Sequence, residues 1–496
     1  MKKYLSLLAL LAAPLLATQP TPGGSVASAI ACLLLLLPSL AWGATYTTNG
    51  SQSDVQSKVN GASSGDTVTV PSGSFTWAGA VTVTGKALTI SGAGIDTTTI
   101  TAGSAGAFSV TCTAANFVEI TGFTFAPNAN AGDGLIEMSG PTAGGNDEVG
   151  FRFDHCKIHL TQVSRGIATY GIFGLIDHCS FVASVGGSIQ SVSLWGSLDG
   201  NDGGFTPWTR ALTLGTNHAV YIEDNTFDYT SNDQSEDAID AYGGARVVVR
   251  HNTFLSCTQG FHGTDSGDRR SAHSFEIYSN TYTNNSANQL RYLTVRGGTG
   301  VIYSNTYGGT GASWYGITLQ YYRATVALDR SGWQQCTGTV WQLGSTSLSA
   351  QGSRTCSTNG GVGFNNTDKE TLGTWGGSYT TGFDGTGTQG YPGRDQPGFT
   401  TGQVLSPIYI WSNGAAATGT YGGGGSDDTL TANMIQVNRD WYDGTTKPGY
   451  VAYTYPHPSQ GGGGTTTTTT IPPSVPSRTS RPLPGTFADE IHNHAF

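Results

Sequence analysis

The chain has 496 residues, of which only 11% are charged and 72 are glycine. Its formal net charge is −10, falling to −12 once an N-terminal segment carrying two lysines is removed, which disfavours nucleic acid and anionic membranes as partners. So little charge and so much glycine suit a turn-rich β protein and argue against a helical one.

Met1-Lys2-Lys3 is followed by an apolar stretch through Ala17. A second, Ala27–Leu40, ends at the small-residue site Ala41-Trp-Gly43-Ala44. Residues 1–44 therefore read as an export segment, and the mature chain is expected to be secreted, periplasmic or at the cell surface. The tandem stretches mean either a downstream start or a membrane anchor. Ser51, Val55, Val59 and Ala62 recur at helical spacing before Gly65-Asp66, predicting a short amphipathic helix that caps the first coil. Strands are predicted at Thr67–Val70, Val81–Val83 and Ala87–Ile90.

The body is organised by one pattern: an apolar residue, two variable residues, a fixed column residue, one variable residue, then an apolar or aromatic residue. It appears as Ile222-Glu-Asp-Asn225-Thr-Phe227, Val249-Arg-His-Asn252-Thr-Phe254, Ile277-Tyr-Ser-Asn280-Thr-Tyr282 and Ile302-Tyr-Ser-Asn305-Thr-Tyr307. Weaker copies start at Ile120, Phe153 and Ile176, with Cys156 and Cys179 in the column position. Successive starts differ by 33, 23, 46, 27, 28 and 25 residues, and 46 reads as two turns of 23. That period predicts a β-solenoid whose rungs stack at ~4.8 Å, with the asparagines bonding one another and the turn backbone in a ladder. Pro407-Ile-Tyr-Ile410-Trp-Ser-Asn413 looks like one more rung, loops are expected over 357–402, and Gly449–Pro458 is expected to seal the C-terminal end. The predicted β-helix domain is 45–458, followed by a disordered Gly/Thr/Pro-rich tail, 459–496. A Cys336–Cys356 disulfide is expected in an exported chain. Cys156 and Cys179 are either a bridge or stacked buried thiols.

One past the first apolar position, successive copies carry Asp154, Asp177, Glu223 and Arg250. Carboxylates stacked at this spacing repel unless a cation sits beside them. With Asp224 and the segment Glu236-Asp-Ala-Ile-Asp240 they read either as a Ca²⁺ site or as a solvated acidic face.

Three segments then resemble the pectate lyases. Ile176-Asp-His-Cys-Ser-Phe181 is similar to their Trp-Ile-Asp-His rung, with Leu175 in place of the tryptophan. Glu236-Asp-Ala-Ile-Asp240 resembles their calcium-binding segment. Arg291-Tyr-Leu-Thr-Val-Arg296-Gly-Gly resembles their R-x-P-x-x-R-x-G stretch, with Leu293 in place of the proline. The resemblance implies an all-β fold, a single right-handed parallel β-helix, its handedness coming from the likeness and not from the period. It further implies a Ca²⁺-dependent polysaccharide lyase that cleaves an acidic glycan by β-elimination. Ca²⁺ would be held by Glu236 and Asp240 together with either Asp177 or the Glu223 and Asp224 of the additional rung, with Arg291 taking the C5 proton beside Arg296. The family's substrate-binding lysine is absent, since Cys257-Thr-Gln259 stands in that place. Gln259 and the cluster His262, Asp265, Arg269 and Arg270 are the candidates to bind the acidic sugar. The alternatives are glycoside hydrolysis by the 236–240 carboxylates and a non-catalytic surface adhesin. A monomer is expected.

Overall fold

The computed structural model describes residues 43–461, except 133, 143, 146, 163–164, 186–188, 199–204, 232–236, 264–269, 286–290, 312–315, 321–340, 343–352, 355–394, 402–403, 415–417 and 422–434. Residues 1–42 of the export segment, 462–496 of the tail, Cys336, Cys356, Glu236, Asp265 and Arg269 lie outside the described residues.

Strict alternation builds the coils. In Val81–Thr84 the valines are buried and the threonines exposed, and Leu88–Ser91 and Val118–Thr121 alternate in the same way. Each coil contributes a strand to each of three parallel sheets. Among the described residues the first has twelve strands, from Thr45–Thr47 to Trp441–Asp443; the second has nine, from Gly73–Trp77 to Thr306–Gly308; the third has ten, from Val81–Thr84 to Thr418–Tyr421. The chain is an all-β parallel β-helix. Phe181, Phe227, Phe254, Tyr282 and Tyr307 stack through the core at centroid spacings of 4.6, 4.8, 4.7 and 5.0 Å, which is the rung spacing.

The turn joining first and second sheets follows one recipe. His155, His178, Asp224, His251, Ser279, Ser304 and Ser412 all adopt φ between 47° and 60°. Each is followed by a column residue: Cys156, Cys179, Asn225, Asn252, Asn280, Asn305 or Asn413. The Asn225, Asn252, Asn280 and Asn305 side-chain amides each donate to the next asparagine's Oδ1 at 2.9–3.1 Å. The same Oδ1 atoms accept the backbone N–H of Asn225, Asn252, Asn280 and Asn305 at 3.0–3.1 Å. Thus the turn's buried backbone donors are satisfied.

At the N-terminal end the helix Gln52–Gly61 buries Val55 and Val59. Its glutamines bond the backbone of the third sheet's edge strand: Gln52 Nε2 to the Ala80 carbonyl, and Gln56 to both the N–H and the carbonyl of Thr82.

The structure corrects two features of the sequence reading. The 46-residue spacing holds no extra coil, because Ile176 pairs directly with Ile222. The surplus residues leave the stack after Gln190–Trp195 and include a short helix, Phe205–Trp208, whose Trp208 indole donates to the Ser271 carbonyl at 2.7 Å. The segment 450–460 does not plug the end. It runs as a strap against the outer face of the first sheet, where Tyr450 bonds Glu276 and Tyr453 packs on Tyr221. Cys156 and Cys179 are free thiols, buried, and burial pushes both thiol pKa values up.

Candidate active site

The acidic column sits on the first sheet, and its charges are already matched. Asp177 accepts two bonds from Arg152, at 2.9 and 2.8 Å, and one from His178 Nδ1 at 2.8 Å. Glu223 and Arg250, both fully buried, pair at 2.5 Å. Glu223 also accepts from the His457 backbone N–H and from Gln460, while Arg250 donates to the carbonyls of Tyr453 and Thr454. Asp224 accepts from the Tyr455 hydroxyl at 2.7 Å. The expected calcium set is therefore not brought together: Asp177, Glu223 and Asp224 belong to the first sheet and its turn, whereas Asp240 lies on the third. The strap occupies the space that an ion beside Glu223 would need. Among the described residues no three acidic, histidine or cysteine side chains are grouped to hold a metal ion.

Two of the expected sugar-binding residues are structural. Gln259 pairs in register with the core residues Ile239 and Leu293, is buried, and bonds the Tyr282 hydroxyl. Arg270 is buried and makes a two-pronged bond to Asp395, 2.6 Å on each arm, with its guanidinium over Trp208.

Asp240, His262 and Arg296 gather on the outer face of the third sheet. Register places Ser193, Asp240, Gly260 and Thr294 in one row, and Trp195 and Tyr242 in the next. His262 and Arg296 continue that second row one residue beyond their strands. Small neighbours leave Asp240 as the row's only acid among these four. Trp195 stacks on Tyr242 at 4.3 Å, and Tyr242 on His262 at 4.5 Å. Asp240 accepts from His262 Nδ1 at 2.7 Å, from Gln190 at 2.7 Å and from the Tyr242 hydroxyl. The far nitrogen of His262 lies 3.4 Å from Arg296 Nη2. Arg165 sits over the Trp195 ring at 5.9 Å.

Burial pushes the Asp240 carboxyl up to about 7, against the Tyr242 bond and the charge of Arg296. Asp237, partly exposed, accepts from Thr258 Oγ1 at 2.7 Å, and burial together with the Asp240 charge raises its pKa. Its carboxylate lies over Gly260, where any Cβ would overlap Oδ2. Glycine at 260 is thus what lets two carboxylates share one patch. Arg291 is half-buried, two residues before inward-facing Leu293 and five before Arg296.

Sequence reasoning placed Asp240, His262 and Arg296 but not Trp195, Tyr242, Gln190 or Arg165. The available signal was strand parity: if Ile239 and Ala241 face inward, Asp240 and Tyr242 must face outward.

No protein-family model and no curated protein matches the chain. Similar solved structures include the catalytic domain of a GH87 alpha-1,3-glucanase in complex with nigerose, at 12% identity and a TM-score of 0.22. A variant of that domain, also with nigerose, gives 11% and 0.21. Each match covers 57% of this chain and 60% of the other, so the chain spans less than two thirds of the proteins it resembles.

Proposed function

We propose that the protein hydrolyses a glycosidic bond of an acidic glycan on the outer face of the third sheet. The observation that carries the reading is the carboxylate pair Asp237 and Asp240 beside Gly260, the first bonded to Thr258 and the second locked to His262. Two acidic groups whose surroundings differ are the usual division between proton donor and base at a sugar bond. Asp237 is the less buried residue of the two and acts on water or on the anomeric carbon. Asp240 is fully buried and acts through His262, which is 18% exposed and carries the proton to the leaving oxygen. Trp195 and Tyr242 form the wall beneath, and Arg165 and Arg296 supply positive charge for an acidic sugar.

One observation favours a second reaction. Arg296 beside the outer nitrogen of His262 also suits β-elimination, with His262 taking the C5 proton, Arg296 neutralising the uronate, and the C4–O bond breaking as its oxygen leaves and takes a proton from water. The experiment treats the full chain with acidic and neutral glycans in heavy-oxygen water. Hydrolysis puts the label into a saturated reducing end. Elimination gives an unsaturated end that absorbs in the near ultraviolet, with no label, and would replace hydrolysis as the reading. Asp237→Asn and His262→Gln should each lower the rate by about 10²–10⁴. Saturable glycan binding without cleavage would establish the adhesin alternative instead.

A further inference from the structure

We propose that His155 and His178 form a two-histidine site for a borderline divalent transition metal, with Cu²⁺ bound most tightly. The pair lies on the turn between the first and second sheets, away from Asp240. Because the turn repeats from coil to coil, the two imidazoles are held parallel, with centroids 5.0 Å apart and an interplanar angle of 3°. Each donates Nδ1–H to the carboxylate of the preceding residue: His155 to Asp154 at 2.6 Å and His178 to Asp177 at 2.8 Å. Carboxylate acceptors fix the proton on Nδ1, so Nε2 keeps its lone pair. A buried carboxylate behind a ring whose far nitrogen faces outward is the support that metal-binding histidines have.

The surroundings agree. Asp154 and Asp177 are 5% and 0% exposed, while His155 and His178 are 59% and 43% exposed. Arg152 contacts both carboxylates, at 3.4 and 2.8 Å, and holds the two supports together. Metal–nitrogen bonds are ~2.0–2.1 Å and lie in the imidazole plane, so the two parallel rings must turn out of their stacked arrangement to converge on one ion, which their exposed sides permit. The next turn residue, Asp224, is tied to Tyr455 and Gln460 in the strap, so water completes the coordination shell. Imidazole donors with open positions select Cu²⁺ over Ni²⁺ and Zn²⁺ and reject Ca²⁺.

Calorimetric titration of the full chain with CuCl₂ and ZnCl₂ tests this, with paramagnetic resonance of the Cu²⁺ form. Asparagine tolerates left-handed backbone, so His155→Asn and His178→Asn keep the turn. Each should weaken one Cu²⁺ equivalent by about 10² by removing the chelate. Asp154→Asn should weaken it by about 10–100-fold with both ligands in place. A double His492→Asn, His494→Asn variant should retain that equivalent. Binding unchanged in His155→Asn or His178→Asn, or lost only in the tail variant, overturns the proposal.

Discussion

Replacing Asn252 by alanine removes five hydrogen bonds from a side chain only 2% exposed. Its Oδ1 accepts the Asn225 backbone N–H at 3.0 Å and the Asn225 amide at 3.1 Å. Its Nδ2 donates to the carbonyls of Ile222 and Arg250, both at 2.9 Å, and to Asn280 Oδ1 at 3.0 Å. The Asn225 amide keeps bonds to Ile176 and Glu223, so it is not stranded, but the Asn225 N–H is. One stranded buried donor costs about 1–3 kcal/mol, and the two lost carbonyl bonds about 0.5–1.5 kcal/mol each, giving about 2–6 kcal/mol in all. Stacked coils open locally, so the assay pairs urea unfolding with hydrogen exchange. The Asn225 amide should lose protection first. Thr226→Ala, at the exposed neighbouring position, is the control and should change stability by less than about 0.5 kcal/mol. A loss below about 1 kcal/mol with Asn225 exchange unchanged would refute the reasoning.

Gly260→Ala should displace the Asp237 carboxylate and lower the cleavage rate by about 10²–10⁴, while circular dichroism stays that of the parent. Arg250→Ala leaves Glu223 buried without its cation and should cost about 3–5 kcal/mol; limited proteolysis should then cut within 450–460, since Arg250 also holds the carbonyls of Tyr453 and Thr454. The carboxyls of Asp240 and Glu276 are raised by burial from 3.8 to about 7 and from 4.5 to about 6. The folded state therefore binds more protons than the unfolded one, and these two groups contribute stability that is full below about pH 4 and lost as pH rises through 6 and 7. Unfolding midpoints across that range, compared with those of Asp240→Asn, measure the effect, and a flat difference between the two proteins would contradict it.

The repeat made the coils legible because a parallel β-helix copies each position onto the next rung. Asn225, Asn252, Asn280 and Asn305 stand at one turn position, and Pro407–Asn413 stacks on 299–305 despite more than a hundred intervening residues. The same regularity misled where the chain leaves the stack. A spacing of 46 is twice 23, yet the surplus is an excursion rather than a coil.

The site was legible only in part. Asp240, His262 and Arg296 of the candidate site stand in the stretches singled out along the chain, but the acidic column of Asp177 and Glu223 carries equal weight there, and nothing along the chain distinguishes the two. Sequence alone determined the period, the inward and outward parity of each strand and the buried column, since these depend on neighbours within one coil and its copies. Tertiary structure decided which sheet face is covered. Arg250 meets Tyr453 and Thr454 from some two hundred residues away, and that contact turns one acidic face into a buried, neutralised seam. Among the described residues no hydrogen bond from 450–460 reaches Asp237 on the third sheet, and that residue stays partly exposed with its carboxylate against Gly260.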